Sequence, residues 1–138
     1  MNRVRLFLLV SMLLVAVPAG ADILVVVNPD SGIRTLSRSD AINIFMGRYR
    51  KLPNGGLALP VDLVSLKPRF YRALVDKNLA AINSYWARLV FSGEASPPQQ
   101  SQSAADVHHL LAHNPNVLGY VDSETAWDDL RVVLTLDE

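Results

Sequence analysis

Apolar and polar positions alternate along the chain in two different periods. Ile23–Val27 (ILVVV) is an unbroken β-branched run, the pattern of a strand covered on both faces. Asn28-Pro29-Asp30-Ser31-Gly32 follows as turn chemistry. Leu36 then precedes Ser37-Arg38-Ser39-Asp40, a capping box with aspartate in the third helical place. Ala41, Ile42 and Phe45 share one face of the helix this predicts, and Gly47 is a natural C-cap. A polar loop from Lys51 to Gly56 leads into a second strand over Leu57–Val64 (LALPVDLV). Its Pro60 favours an edge, a bulge or a crossing point over a central ladder position.

Helical periodicity returns at about Pro68, a residue suited to a first turn. Phe70, Ala73 and Leu74, with Tyr71 beside them, face inward. Asn78 caps a third helix over Leu79–Phe91, striped by Leu79, Ile82, Trp86, Leu89 and Val90 and ended by Gly93. Glu94–Gln102 has no period and two prolines, so a surface loop is expected. Ser103 to Asp106 repeats the capping logic, and Val107, Leu110 and Leu111 form the apolar face of a fourth helix, stopped by Asn114-Pro115-Asn116. Val117–Val121 (VLGYV) is the next strand, Ser123–Asp129 a short helical turn, and Arg131–Leu136 the last strand. Strands alternating with helices predict an α/β domain with about four or five strands in a largely parallel sheet.

The first residues differ in kind. Arg3 and Arg5 precede the apolar run Leu6–Val17, and Ala19-Gly20-Ala21 satisfies the small-x-small rule for signal peptidase. The run is about 12 residues, short of the roughly 20 a spanning helix needs. A secretory signal over residues 1–21, cut before Asp22, is expected, with residues 22–138 as a single domain of about 117 residues. The chain holds 13 basic and 13 acidic residues, and cleavage removes Arg3 and Arg5, leaving a slightly acidic balance without a global pull toward nucleic acid or anionic lipid. There is no cysteine, which excludes disulfides, thiolate chemistry and lipid attachment through an N-terminal cysteine. Half of the residues are apolar, enough for a core without staples, and the expected compartment is a bacterial periplasm.

Candidate chemistry gathers where the second strand meets its helix. Ser65, Lys67 and Arg69 put a hydroxyl and two cations at a helix N-terminus, whose unpaired N–H groups and dipole favour an anion. The same residues also describe a capped helix with solvated cations, neutralised by Asp62. Asn28, Ser31 and Gly32 would border a cleft if ligands gather at the carboxyl ends of strands, or they are simply a turn. Ser37, Ser39 and Asp40 read as caps, and Trp86 with Tyr85 as core. His109 and His113 stand four apart beside His108, a spacing that can share a metal. Apart from Asp106, three residues before His109, no nearby acid offers a third ligand at helical spacing, so solvated polar positions are expected and no metal is assigned. Asp122, Glu124, Asp128 and Asp129 read as a solvated acidic face. No nucleophile stands with a base, and there is no P-loop or dinucleotide fingerprint, so neither an enzyme nor a cofactor is expected.

Several of these pieces have a familiar order. LSRSDAINIFMGR resembles the IF-x-G helix of periplasmic phosphate-binding proteins, and VLGYV after NPN resembles their GYV strand. KPRFYRALV followed by INSYWARLVFSGEASPP is similar to a short subgroup of that family. The resemblance runs from Ile23 to Val121. It implies a type II periplasmic-binding-protein-like fold, as a single lobe whose mixed, mostly parallel sheet is flanked by helices, equivalent to the second lobe of a two-lobed clamp. It also implies non-catalytic binding of a small oxyanion, phosphate first, in association with an ABC uptake transporter. The chain departs from the family at the anion loop. A Ser-, Gly- and Thr-rich segment is replaced by DLVSLKPRFY, where Ser65 is the one hydroxyl before the helix and Pro68 removes an N–H. The implied contact set is Ser65, Lys67 and Arg69, with Asn28 and Ser31 as outer candidates. The competing expectation is a protein-interaction, accessory or sensory module that has lost the clamp and associates with a partner or with itself.

Overall fold

A computed structural model of the protein describes residues 21–137. The signal expected over residues 1–21 lies outside them, save for Ala21. The described residues form one five-stranded mixed sheet flanked by four helices. The strands are β1 (Ile23–Val27), β2 (Leu59–Leu63), β3 (Gln99–Ser101), β4 (Val117–Asp122) and β5 (Arg131–Leu136). The helices are α1 (Arg38–Phe45), α2 (Lys67–Val75), α3 (Leu79–Phe91) and α4 (Ala104–His113). Short 3-10 turns follow β1 (Pro29–Ser31) and β4 (Ser123–Thr125).

The sheet order is β3-β2-β4-β1-β5. β2 runs parallel to both β3 and β4, whereas β1 runs antiparallel to both β4 and β5. The pairings therefore divide evenly between parallel and antiparallel. β1 lies between two neighbours and all five of its residues are buried, as its β-branched run requires. Pro60 sits at a crossing point. β2 pairs with β4 through Leu59 and Pro60 and with β3 from Val61 onward, so the proline N falls where the strand changes partner. The carboxyl ends of β2, β3, β4 and β5 share one edge of the sheet with the amino end of β1, and Ile23 stands opposite both Asp122 and Leu136.

Three helices start on a side-chain cap. Ser37 accepts from Asp40 N–H, Asn78 from Ala81 N–H and Ser103 from Asp106 N–H. The core is aromatic under α1 and α2, where Phe70 stacks on Tyr120 with centroids 3.6 Å apart and meets Phe45 edge-on at 4.8 Å. Trp86 is buried against Gly47, whose φ of 73° suits glycine and whose missing side chain makes room for the indole edge. The segment Glu94–Gln102, expected as a loop, contributes β3, three residues that pair along Val61–Leu63. Among the described residues no helix is long and apolar enough to cross a membrane.

Candidate functional site

The turn Val64–Leu66 carries the chain from the carboxyl end of β2 into α2. Ser65 is exposed in that turn. Leu66, the N-cap of α2, makes no side-chain capping bond, unlike the caps of the other three helices. Lys67 N–H reaches Val64 oxygen only at 3.4 Å, and Pro68 contributes no N–H. Leu66 N–H donates to the carbonyl oxygen of Leu63 at 3.0 Å, so the start of α2 is held by backbone bonds and offers few further donors.

The two cations of this segment are engaged differently. Lys67 Nζ lies 3.7 Å from Asp62 Oδ2 and 3.3 Å from Gln100 Oε1. Arg69 Nη2 donates to the carbonyl oxygen of Ala21 at 2.9 Å, which ties α2 to the chain just before β1. Arg69 also walls a hollow of about 550 Å³ with Arg72, Asp76, Asn78 and Asp137. At the other end of α2, Arg38 donates to the carbonyl oxygens of Ala73 and Leu74.

Beside the start of α2 lies a buried polar centre. Asp62 is fully buried and accepts from Tyr71 hydroxyl at 2.9 Å, from Tyr120 hydroxyl at 3.0 Å and from Gln100 Nε2 at 2.9 Å. Every group facing its two oxygens is a donor, which suits an acceptor-only carboxylate. Burial pushes both tyrosines far above the ordinary phenol range, and the charge of Asp62 pushes them further. This centre joins β2, β3, β4 and α2 and fixes Lys67 at the mouth of the helix. Asp62 was expected only to neutralise nearby cations. The available signal was a lone acid inside an otherwise apolar strand, nine residues before Tyr71.

The five residues expected to hold an anion do not come together. Ser65, Lys67 and Arg69 gather at the edge where β2 ends. Asn28 and Ser31 follow β1, which runs the opposite way, and so lie at the other edge, about 17 Å away over five strand residues. There Asn28 Nδ2 donates to the carbonyl oxygens of Leu111 and Ala112 at the end of α4, at 2.9 and 3.2 Å. Its Oδ1 caps Asp30 N–H, and the buried Ser31 hydroxyl accepts from Ile33 N–H. Asn28 docks the turn onto α4, and Ser31 closes the turn itself. The rule that ligands collect at the carboxyl ends of strands grouped them with α2 only under the assumption that β1 ran parallel.

The remaining candidates have local tasks. Ser37 caps α1. Asp122 Oδ1 accepts from the backbone of Glu124 and Thr125 and from the Thr125 hydroxyl. Asp129 pairs with His108 at 2.8 Å. Tyr85 hydroxyl donates to Met46 oxygen at 2.7 Å.

No protein-family model and no curated protein matches the chain. Solved structures do. The fold is similar to a structure from Clostridium perfringens described as a phosphate ABC transporter substrate-binding protein with bound phosphate, with a TM-score of 0.64 and 15% identity. It is also similar to an ABC-type phosphate transport receptor from Vibrio cholerae, with a TM-score of 0.63 and 14% identity. Each match covers 83% of this chain but 45% and 46% of the other, so the chain spans less than half the length of these proteins. At such identities the likeness shows the shared fold.

Proposed function

We propose that this chain is a secreted, non-catalytic substrate-binding-type protein that takes a small oxyanion, phosphate first, on the shelf formed by Ser65, Lys67 and Arg69, in the service of an ABC uptake transporter. The observation that carries the proposal is the start of α2, where the N-cap Leu66 makes no side-chain capping bond and one hydroxyl and two cations gather, in a fold shared with phosphate-transport proteins. Arginine offers a planar bidentate donor and lysine a point charge, the two usual partners of phosphate oxygens. Affinity is low, because the shelf faces solvent and its charges are screened. Calorimetric titration of the processed protein with phosphate, with sulfate as control, tests the proposal. Saturation that Arg69→Ala abolishes supports it. A flat titration at millimolar phosphate overturns it.

A second function, as an interaction module, is favoured by a different observation. Phe91, at the end of α3, is 95% exposed and its neighbour Val90 is 53% exposed, in a chain that spans less than half of its structural neighbours. Exposed apolar residues side by side mark contact surfaces. Light scattering before and after Phe91→Ser distinguishes self-association across α3 from a monomer.

A further inference from the structure

His109 and His113 stand one turn apart at the end of α4 and are both exposed. Their ring centroids are 4.2 Å apart, with the planes inclined at 36°. His113 Nδ1 lies 2.8 Å from the carbonyl oxygen of His109. A carbonyl oxygen can only accept, so the proton of a neutral ring sits on Nδ1 and the lone pair on Nε2. A backbone carbonyl holding one ring nitrogen while the other presents its lone pair is the usual outer support of a metal-binding histidine. Both rings also wall a hollow of about 500 Å³ with Pro97, Pro98 and Asn114. The neighbouring His108 is committed elsewhere, held by Asp129 and resting edge-on against Trp127 at 4.8 Å.

We propose that His109 and His113 form a two-imidazole site for a divalent first-row transition metal, with Cu²⁺ held most tightly and Zn²⁺ and Ni²⁺ less so. Two nitrogens on one metal at about 2.0–2.1 Å each stand roughly 3 Å apart, a separation compatible with rings whose centroids lie 4.2 Å apart. Histidines four apart on one helix face hold zinc in the H-E-x-x-H arrangement. Here the residue after His109 is Leu110, so the carboxylate that would activate water is missing and the site binds without hydrolysing. The negative end of the α4 dipole lies in this same turn and favours a cation. Among the described residues no group of three or more metal-binding side chains is present, so water or an incoming ligand fills the other positions and affinity is moderate. Ligand softness and the Irving–Williams order put Cu²⁺ first and exclude Mn²⁺ at comparable concentration.

The site lies at the opposite sheet edge from the α2 shelf, so it stands or falls independently of oxyanion binding. The test is calorimetry and electron paramagnetic resonance of the untagged protein with Cu²⁺. The expected result is one Cu²⁺ per chain, with nitrogen hyperfine structure from two imidazoles. His109→Ala and His113→Ala should each weaken binding at least tenfold with an unchanged circular dichroism spectrum, whereas His108→Ala should leave it unchanged. Binding that fails to saturate at one equivalent, that persists in both alanine variants, or that His108→Ala weakens equally would overturn the proposal.

Discussion

Replacing Asp62 by alanine should be among the most damaging single changes to the described fold. Asp62 is fully buried, as are Tyr71 and Tyr120, whose hydroxyls donate to it at 2.9 and 3.0 Å. Alanine orphans both hydroxyls in a dry environment, at about 1–3 kcal/mol each. It also removes one of the two acceptors of Gln100 Nε2 and the counter-charge 3.7 Å from Lys67. A total near 4 kcal/mol is expected, a large share of the ~5–15 kcal/mol that holds a typical domain. At about 4 °C per kcal/mol for this size, the midpoint of thermal unfolding should fall by roughly 15 °C. Asn is milder, at about 1–2 kcal/mol, since it keeps an acceptor for the tyrosines. The diagnostic variant combines Asp62→Ala with Tyr71→Phe and Tyr120→Phe. Removing the stranded hydroxyls should recover much of the loss, because deleting both partners of a buried bond costs far less than deleting one. Urea unfolding measures all three. An Asp62→Ala variant within 1 kcal/mol of the parent, or a triple variant no better than the single one, would refute the reasoning.

Other expectations follow from the same structure. Tyr71 and Tyr120 have folded-state pKa values raised above the unfolded value of about 10, so the stabilisation they represent is whole below pH 10 and is lost as pH rises beyond it. Their phenolate absorbance should appear only in a late alkaline step that coincides with loss of the fold, and a smooth titration of the folded chain would contradict this. Gly47→Ala should cost more than Gly32→Ala. Both glycines have positive φ, worth about 1–2 kcal/mol to any other residue, but a Cβ at Gly47 would lie 2.6 Å from the Trp86 ring whereas one at Gly32 meets nothing within 4 Å. Denaturant midpoints that fall equally would refute a packing role for Gly47.

Much of the fold is legible in the residues because its signals are local. The β-branched run of β1, the Asn78 cap of α3 and the alternation of helix and strand each depend on neighbours in sequence. β3 is illegible for a plain reason. It is a three-residue edge strand of glutamine and serine with no apolar alternation, and its pairing with β2 is what makes it a strand. The direction of β1 has no sequence signature, because buried runs read alike in parallel and antiparallel sheets. That one unknown separates Asn28 and Ser31 from Ser65, Lys67 and Arg69. The inward turn of Asp62 depends on Tyr120, 58 residues away, which no local pattern connects to it.

The most direct measurement is a crystal of the protein processed before Asp22, soaked in phosphate. A phosphate seated at the start of α2, within hydrogen-bond reach of the Ser65 hydroxyl and the Arg69 guanidinium, is the predicted result. A shelf that stays empty at saturating phosphate, or an anion lodged only elsewhere on the molecule, would contradict it.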